Sequence, residues 1–472
     1  MKQFLVIFLL LTYANVFAQS YTSYFTGNAV DMVGSPQGGV CMMGGATEND
    51  EAMKWFLNRA DGGDILVLRA SGSNGYNDYL YSDLGITINS VETIVFNNSS
   101  AANESYIHDK IMKAEAIWFA GGDQFDYISY WRNTPIDKLI NEAMQQRNIV
   151  IGGTSAGMAI MGKYYFSAKN GTVTSSTALN NPYDNDVTVD SENFLQVDYM
   201  DDVITDSHYD NRDRKGRHVV FLARILTDQG VAAKGIACNE YTSVCIDENG
   251  LARVYGDPNY PETAFFLQAN CELTTLNPEN CSPFSPLDWN LNGSAIRVYK
   301  VHGTQNGDNT FDLSDWKTGN GGNWENWYVD NGTLIETAGA QIDCSNLSTE
   351  NPDSDNDGVF DDNDLCPNTP GNKIVDVTGC ELFSLAANNY LLTISSETCN
   401  AQNNGSILLS AQENYNYSVR LSGEGFSKTK TFTSEVGFDE LSAGTYTLCI
   451  TIDDNFSYEQ CFTVFVIEPG ES

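Results

Sequence analysis

Basic residues are scarce in this chain of 472: 25 lysines and arginines face 62 aspartates and glutamates, for a formal net charge of -37. A surface of that sign repels phosphate backbones and anionic lipid, which excludes nucleic acid and acidic membranes as partners and favours cations. Long apolar runs are scarce too. Beyond the first 18 residues, no stretch reaches the roughly 18 apolar residues that a membrane-spanning helix needs. Histidine is rarer still, with four in the chain: His108, His208, His218 and His302. Any imidazole chemistry has to be found among those.

Residues 1–18 read as a signal peptide, with Lys2 in a short basic head, the apolar run "FLVIFLLL" and a small-residue cleavage pattern at Val16-Phe17-Ala18. The mature chain is expected to begin at Gln19. A lipid anchor would need a cysteine there, so the expected location is extracellular or at the cell surface, reached through the periplasm. Eleven cysteines in an exported chain predict disulfides, and the odd count leaves at least one thiol. Spacing allows Cys271–Cys281 and Cys366–Cys380 to close small loops. Cys449 and Cys461 can bridge two strands, or either can pair with Cys399. Cys41, Cys238 and Cys245 lie in apolar, strand-like runs and read as buried thiols.

The length predicts two to four domains. From about 38 to 250, apolar runs such as "DILVLRA" (64–70), "AIWFAGG" (116–122), "NIVIGG" (148–153) and "GIACNE" (235–240) alternate with helix-period segments. In "TPIDKLINEAMQQ", Thr134 is placed to cap a helix and Pro135 to begin it. Continuous apolar strands separated by helices predict an α/β domain with a mostly parallel sheet covered by helices on both faces. The expected division is 1–18 signal peptide, 19–343 α/β domain completed by β structure, 344–380 acidic linker and 381–472 β module.

In the first domain, Gly153-Thr154-Ser155-Ala156-Gly157 follows an apolar strand and precedes "MAIMG". G-x-S-x-G in that setting is a sharp strand-to-helix turn that lifts the serine above the sheet. It places Ser155 at a helix N-terminus, where the Ala156 amide can stabilise an oxyanion. Among the histidines, His208 alone follows an apolar run into a polar loop, "VITDSHYDNRDRKGR", the end at which α/β sheets present functional groups. Glu240, ending "GIACNE", is the best-placed acid to orient it, with Asp206 and Asp210 as rivals. The order serine, histidine, acid disfavours an α/β-hydrolase, which runs serine, acid, histidine.

Together "GGTSAGM", "GGDQ" (121–124) and "DSHYDNRDRKGR" (206–217) resemble the cyanophycinase and peptidase E family of serine peptidases. The resemblance implies a fold similar to class I glutamine amidotransferases, with Ser155 as nucleophile, His208 as general base and Glu240 as its orienting acid. It implies an oxyanion hole from the Gly122 and Ala156 amides, and a substrate pocket that includes Gln124, Asp206, Arg212, Arg214 and Arg217. Family members release aspartyl dipeptides, and the arginine-rich motif resembles the cyanophycinase pattern, whose product is β-Asp-Arg. Arginine forks suit carboxylates and an aspartate suits a guanidinium, as a zwitterionic Asp-Arg unit requires. Asp123 and Asn239 depart from the residues common in cyanophycinases. An α-aspartyl or isoaspartyl dipeptidase of the same mechanism is the alternative enzyme. A silent adhesion protein is the alternative without chemistry.

Residues 353–367, "DSDNDGVFDDNDLCP", place Asp353, Asp355, Asp357, Asp361 and Asp364 at positions 1, 3, 5, 9 and 12 of an EF-hand-like loop, with Gly358 at its turn. So many carboxylates repel one another unless a hard cation gathers them, and calcium fits an oxygen cage better than magnesium. The segment resembles a thrombospondin type 3 repeat, which implies a Cys366–Cys380 bridge. No cofactor is expected for catalysis. The tail alternates with period two, Tyr415, Tyr417, Val419 and Leu421 on one strand and Tyr446, Leu448, Ile450 and Ile452 on another, predicting a small antiparallel β-sandwich. It resembles modules of secreted bacterial proteins, which implies cell-surface or secretion-system partners.

Overall fold

The computed structural model describes residues 19–344, 355, 359, 364–369, 380, 385, 389–398, 402–423, 425–452 and 455–467. The expected signal peptide and Cys399 lie outside them. The chain divides into two compact units, Met1–Leu347 and Ser348–Ser472.

The first half of unit one alternates strands and helices: β1 (Tyr21–Gly27), β2 (Val40–Met43), α1 (Asp50–Arg59), β3 (Asp64–Arg69), α2 (Gly75–Asp78), β4 (Ser90–Phe96), α3 (Ser105–Lys113), β5 (Ala116–Phe119), α4 (Gln124–Trp131), α5 (Pro135–Arg147), β6 (Val150–Thr154) and α6 (Ala156–Ala159). Thr134 caps α5 as its sequence demands, accepting the Ile136 amide at 3.1 Å with Pro135 behind it. After β7 (Tyr165–Phe166), α7 (Ser175–Asn180) and β8 (Val189–Asp190) come β9 (Val203–Asp206), α8 (Lys215–Gln229), β10 (Lys234–Cys238), β11 (Ser243–Ile246) and β12 (Leu251–Tyr255). Six strands then finish the unit: β13 (Thr263–Ala269), β14 (Ile296–His302), β15 (Asn309–Asp312), β16 (Gly319–Asn320), β17 (Gly322–Asp330) and β18 (Thr333–Ala338).

Two large sheets and a small antiparallel β7-β8 pair result, where one mostly parallel sheet is expected. The larger runs β1-β4-β3-β5-β6-β2-β11-β12-β15-β16. Its stretch from β4 to β2 is parallel, and β1 and the strands from β11 onward are antiparallel. The second sheet runs β18-β17-β14-β13-β10-β9, and within it only β9 and β10 are parallel. The run "GIACNE" therefore belongs to a separate sheet. The reason is topological: α8 is the last long helix of the unit, and antiparallel strands need no helical crossover. Helices cover both faces of the parallel region. Met53, Phe56 and Leu57 of α1 pack with Ile65 and Val67, whereas Ile107, Tyr127 and Ile140 pack with Leu66 and Leu68. This alternation follows the period-two geometry of strands.

Unit two contributes β19 (Tyr390–Ser395), β20 (Gly405–Ala411), β21 (Tyr417–Gly423), β22 (Phe426–Phe432), β23 (Glu435–Leu441), β24 (Gly444–Ile452) and β25 (Asn455–Val466). They form antiparallel sheets ordered β19-β20-β23 and β22-β21-β24-β25. Tyr417, Val419, Leu421, Leu448 and Ile450 share one core cluster with Ile407, Leu409 and Phe438. Tyr415 does not join them; it precedes β21 and is exposed.

Disulfides join Cys271 to Cys344, Cys366 to Cys380 and Cys449 to Cys461. The expected Cys271–Cys281 loop is not made: Cys271 reaches the end of the unit instead, and Cys281 stays a thiol. Cys41, Cys238 and Cys245 are buried thiols. No helix among the described residues is long and apolar enough to cross a membrane. Three disulfides fit an oxidising compartment.

Candidate active site

The strand β6 ends in a backbone that few side chains tolerate. Ser155 has φ 53° and ψ -110°, the strained conformation of a nucleophile elbow. Its flanking glycine is a steric necessity, because a Cβ on Gly157 would lie 2.1 Å from the Phe119 carbonyl oxygen. The turn puts Ser155 before the first residue of α6, where backbone N–H groups have no intrahelical acceptor. The Ala156 amide is one of these. Across from it, the turn after β5 brings Gly121 against the Ser155 side chain, with a Cβ there 3.7 Å from Ser155 Cβ. Gly122 follows and lines the same cleft.

His208 leaves β9 with φ 49°, and its Nε2 stands 2.8 Å from Ser155 Oγ. Its Nδ1 stands 2.6 Å from Oε1 of Glu240, two residues past β10. The other carboxylate oxygen accepts a hydrogen bond from Asn211 at 2.8 Å, and Asp210 accepts the Glu240 amide at 3.1 Å. Asp210 and Asp206 are thus not the acid that meets the imidazole. Burial pulls the His208 pKa below the ordinary histidine range; the Glu240 hydrogen bond opposes this and the Arg214 charge adds to it. Desolvation pushes Glu240 up, but the hydrogen bonds from Asn211 and His208 win and hold it low. The imidazole is therefore neutral at pH 7 with a carboxylate behind it, the state a general base needs.

One feature absent from the sequence reading fixes this arrangement. The end of β2 accepts the Ser155 amide on Met43 O at 3.1 Å, the His208 amide on Gly44 O at 2.7 Å and the Tyr241 amide on Gly45 O at 3.0 Å. A Cβ on Gly45 would fall 2.3 Å from the His208 ring. The signal was present as the glycine pair closing "VCMMGG". Asn211 lay inside a quoted motif without a role. Tyr127 is a third addition: its hydroxyl donates to Ala120 O at 2.8 Å, holding the turn that leads to Gly122.

A cleft of about 340 Å³ opens over Ser155, with Gly122, Gln124, His208, Arg212 and Arg214 on its walls. Gln124 donates to the Phe166 carbonyl at 3.0 Å, tying α4 to the far wall. The expected pocket residues divide. Arg212 is exposed, and Arg214 is half-buried, donating to Ser207 O at 2.8 Å. Burial draws the Arg214 guanidinium down to about 10, which leaves it charged at neutral pH. Arg217 also lines the cleft, yet it and Asp206 are buried against each other. Arg217 grips both carboxylate oxygens at 2.8 and 2.6 Å, and its remaining nitrogen reaches Thr172 Oγ1 at 3.1 Å. The expectation that Asp206 receives a substrate cation is corrected on this ground: its carboxylate is already held by Arg217 and shielded from solvent. Asp123 caps α4 through the Phe125 amide at 2.9 Å, and Asn239 is buried, donating to Pro261 O at 2.7 Å.

Residues 75–253 match the model of peptidase family S51. That span holds Ser155, His208 and Glu240. The chain is 24% identical over 232 residues to a cyanophycinase of Synechococcus elongatus, covering 47% of this chain and 66% of that protein. A cyanophycinase of Trichormus variabilis is 24% identical over 201 residues, 42% of this chain and 59% of that protein. The chain thus spans less than two thirds of the length of these curated relatives. A crystal structure of a peptidase from an acI-B1 Actinobacterium is 15% identical, covering 49% of this chain and 95% of that one with a TM-score of 0.37.

Of the expected calcium ligands, Asp355 and Asp364 are among the described residues, and Asp353, Asp357 and Asp361 lie outside them. Asp364 Oδ1 accepts the Cys366 amide at 2.7 Å, and its buried Oδ2 has no hydrogen-bond partner among the described residues. An orphaned carboxylate oxygen of that kind suits a cation.

Proposed function

We propose that this protein is a secreted serine peptidase of the cyanophycinase type, releasing aspartyl dipeptides, with β-Asp-Arg as the product. The reading rests on one observation, the unbroken hydrogen-bond chain Ser155–His208–Glu240 at the foot of a cleft lined by Arg212 and Arg214. Ser155 Oγ attacks the scissile carbonyl while His208 Nε2 takes its proton. Glu240 holds the imidazole in the tautomer that accepts at Nε2 and stabilises the imidazolium. The Gly122 and Ala156 amides receive the oxyanion, a contribution of about 3–4 kcal/mol per donor in a dry site. His208 then protonates the departing amine, and water repeats the sequence on the acyl-enzyme.

Arg212 and Arg214 supply the anion-binding side, selecting the aspartyl carboxylate. Beyond Tyr241, which adjoins Glu240, a wider cleft of about 760 Å³ is lined by Glu48, Asp50, Glu51, Asp257 and Glu262. This charge pattern favours a polymer bearing guanidinium groups over a bare α-aspartyl dipeptide. Residues 353–364 hold structural calcium, with Asp364 Oδ2 among its ligands and no part in the chemistry. The C-terminal β module attaches or sorts the enzyme at the cell surface.

The deciding experiment incubates the purified protein with insoluble cyanophycin and follows soluble β-Asp-Arg by mass spectrometry, with Ser155→Ala as control. Serine-dependent release establishes reaction and substrate together. Absence of release from an enzyme that still cleaves α-aspartyl peptides would remove cyanophycin and keep the mechanism.

A further inference from the structure

Cys41 and Cys245 have no part in the chemistry above, yet the fold brings them together from 204 residues apart in sequence, with sulfurs 3.3 Å from each other. Cys41 lies on β2 and Cys245 on β11, and the two are direct partners in the antiparallel ladder. The ladder also fixes what kind of partners they are. Gly44 donates to its opposite residue Thr242 at 2.9 Å, so that pair is hydrogen-bonded. Alternation along the ladder then makes Cys41 and Cys245 a non-hydrogen-bonded pair, the kind whose side chains approach most closely.

The chain already uses this arrangement. Cys449 and Cys461 are likewise direct antiparallel partners, on β24 and β25, with Cα atoms 4.0 Å apart, and they are bonded. We propose that Cys41 and Cys245 form a fourth disulfide, closed when the chain folds in an oxidising compartment. Cys41 and Cys245 share one core cluster of the large sheet, whereas Cys238, on β10 of the second sheet, packs in another, which favours the Cys41–Cys245 pairing.

The step is thiol–disulfide exchange. A thiolate of one cysteine attacks a small-molecule disulfide such as oxidised glutathione, expelling one thiol and leaving a mixed disulfide. The second cysteine's thiolate attacks the protein sulfur of that species, forming the Cys41–Cys245 bond and expelling the second thiol. Two protons and two electrons leave the protein pair, and the oxidant's disulfide becomes two thiols. Both cysteines are fully buried once folded, so the exchange belongs to folding, before β2 and β11 close, and the finished bond is sheltered from reductant. It would fasten the seam where the parallel half of the large sheet meets its antiparallel half.

The test uses the full chain, exported to an oxidising periplasm under conditions in which Cys449–Cys461 is bridged, so that pair is the internal control. The protein is denatured, alkylated without reductant, digested and mapped by mass spectrometry. The expected result is a cross-linked pair of peptides containing Cys41 and Cys245, unalkylated and two hydrogens lighter than their sum. Alkyl label on Cys41 and Cys245 with none on Cys449 and Cys461 would overturn the proposal, as would a bridge from either to Cys238. The outcome is independent of whether Ser155 is a nucleophile.

Discussion

The side-chain amide of Asn211 donates to the one oxygen of Glu240 that His208 leaves free, at 2.8 Å. The carboxylate is thereby clamped between an imidazole and an amide, and its plane is set for Nδ1. Asn211→Ala is expected to lower kcat about 10- to 100-fold, the worth of a hydrogen bond to a charged group. KM should change little. A steady-state comparison with Asn211→Asp checks it, and the aspartate should be worse because it sets a like charge beside Glu240.

Ser155→Ala should lower turnover by about 10⁴-fold or more while leaving the fold intact. A fluorophosphonate probe should label the wild-type chain at Ser155 and leave the alanine variant unlabelled. Labelling at a different serine would remove the elbow from the mechanism.

The acidic limb of the kcat/KM profile should lie below the ordinary histidine value of about 6.5, because burial and the Arg214 charge lower the His208 pKa. The base works deprotonated, so activity falls as pH drops through that lowered value. Replacing Arg214 with glutamine removes a positive neighbour and should move the limb toward higher pH. A limb that shifts the other way, or not at all, would show that the titrating group is not His208.

His218 is buried as a neutral ring, with Nε2 3.2 Å from Ile204 O and Nδ1 3.3 Å from the Tyr209 hydroxyl, and burial drives its pKa down to about 4. Its folded pKa is below the unfolded value of about 6.5, so the unfolded chain binds the proton more readily. Its stabilisation is complete above the unfolded value and is lost as pH falls from there toward about 4. The midpoint of denaturant melts should fall as pH drops across that window for the wild type, and depend less on pH for His218→Gln.

Asp206→Asn and Arg212→Gln should separate the cleft's support from its recognition. The first breaks a buried bidentate pair and should cost about 3–5 kcal/mol of stability. The second alters an exposed arginine on the cleft wall; it should leave the melting temperature alone and raise KM about tenfold.

Much of this site is legible in the sequence, because strain and burial leave local marks. A glycine-flanked serine after an apolar strand cannot readily be anything but a tight βα turn. A histidine ending "VIT" and a glutamate ending "GIAC" sit at strand ends because their apolar runs stop there. The pairing of Asp206 with Arg217 was not readable. Eleven residues separate them in sequence, and composition cannot distinguish an arginine that faces a ligand from one folded back onto its own loop. The second sheet escaped for a similar reason: "GIACNE" reads as a buried parallel strand in either sheet, and only the hairpins after it decide which. The long reach from Cys271 to Cys344 was equally silent, since loop closure depends on the whole unit and not on the nearest cysteine.

Ser155, His208 and Glu240 belong to separate excursions of the chain, and small errors in each loop would ordinarily accumulate at the point where they meet. Met43, Gly44 and Gly45 prevent that by serving as a common datum, since each group's own or adjoining amide is gauged from a neighbouring carbonyl of the same short segment. Tolerances are then set by one tripeptide and not by the length of the intervening loops. Those loops are free to lengthen, and to reshape the cleft, without loosening the alignment of the three.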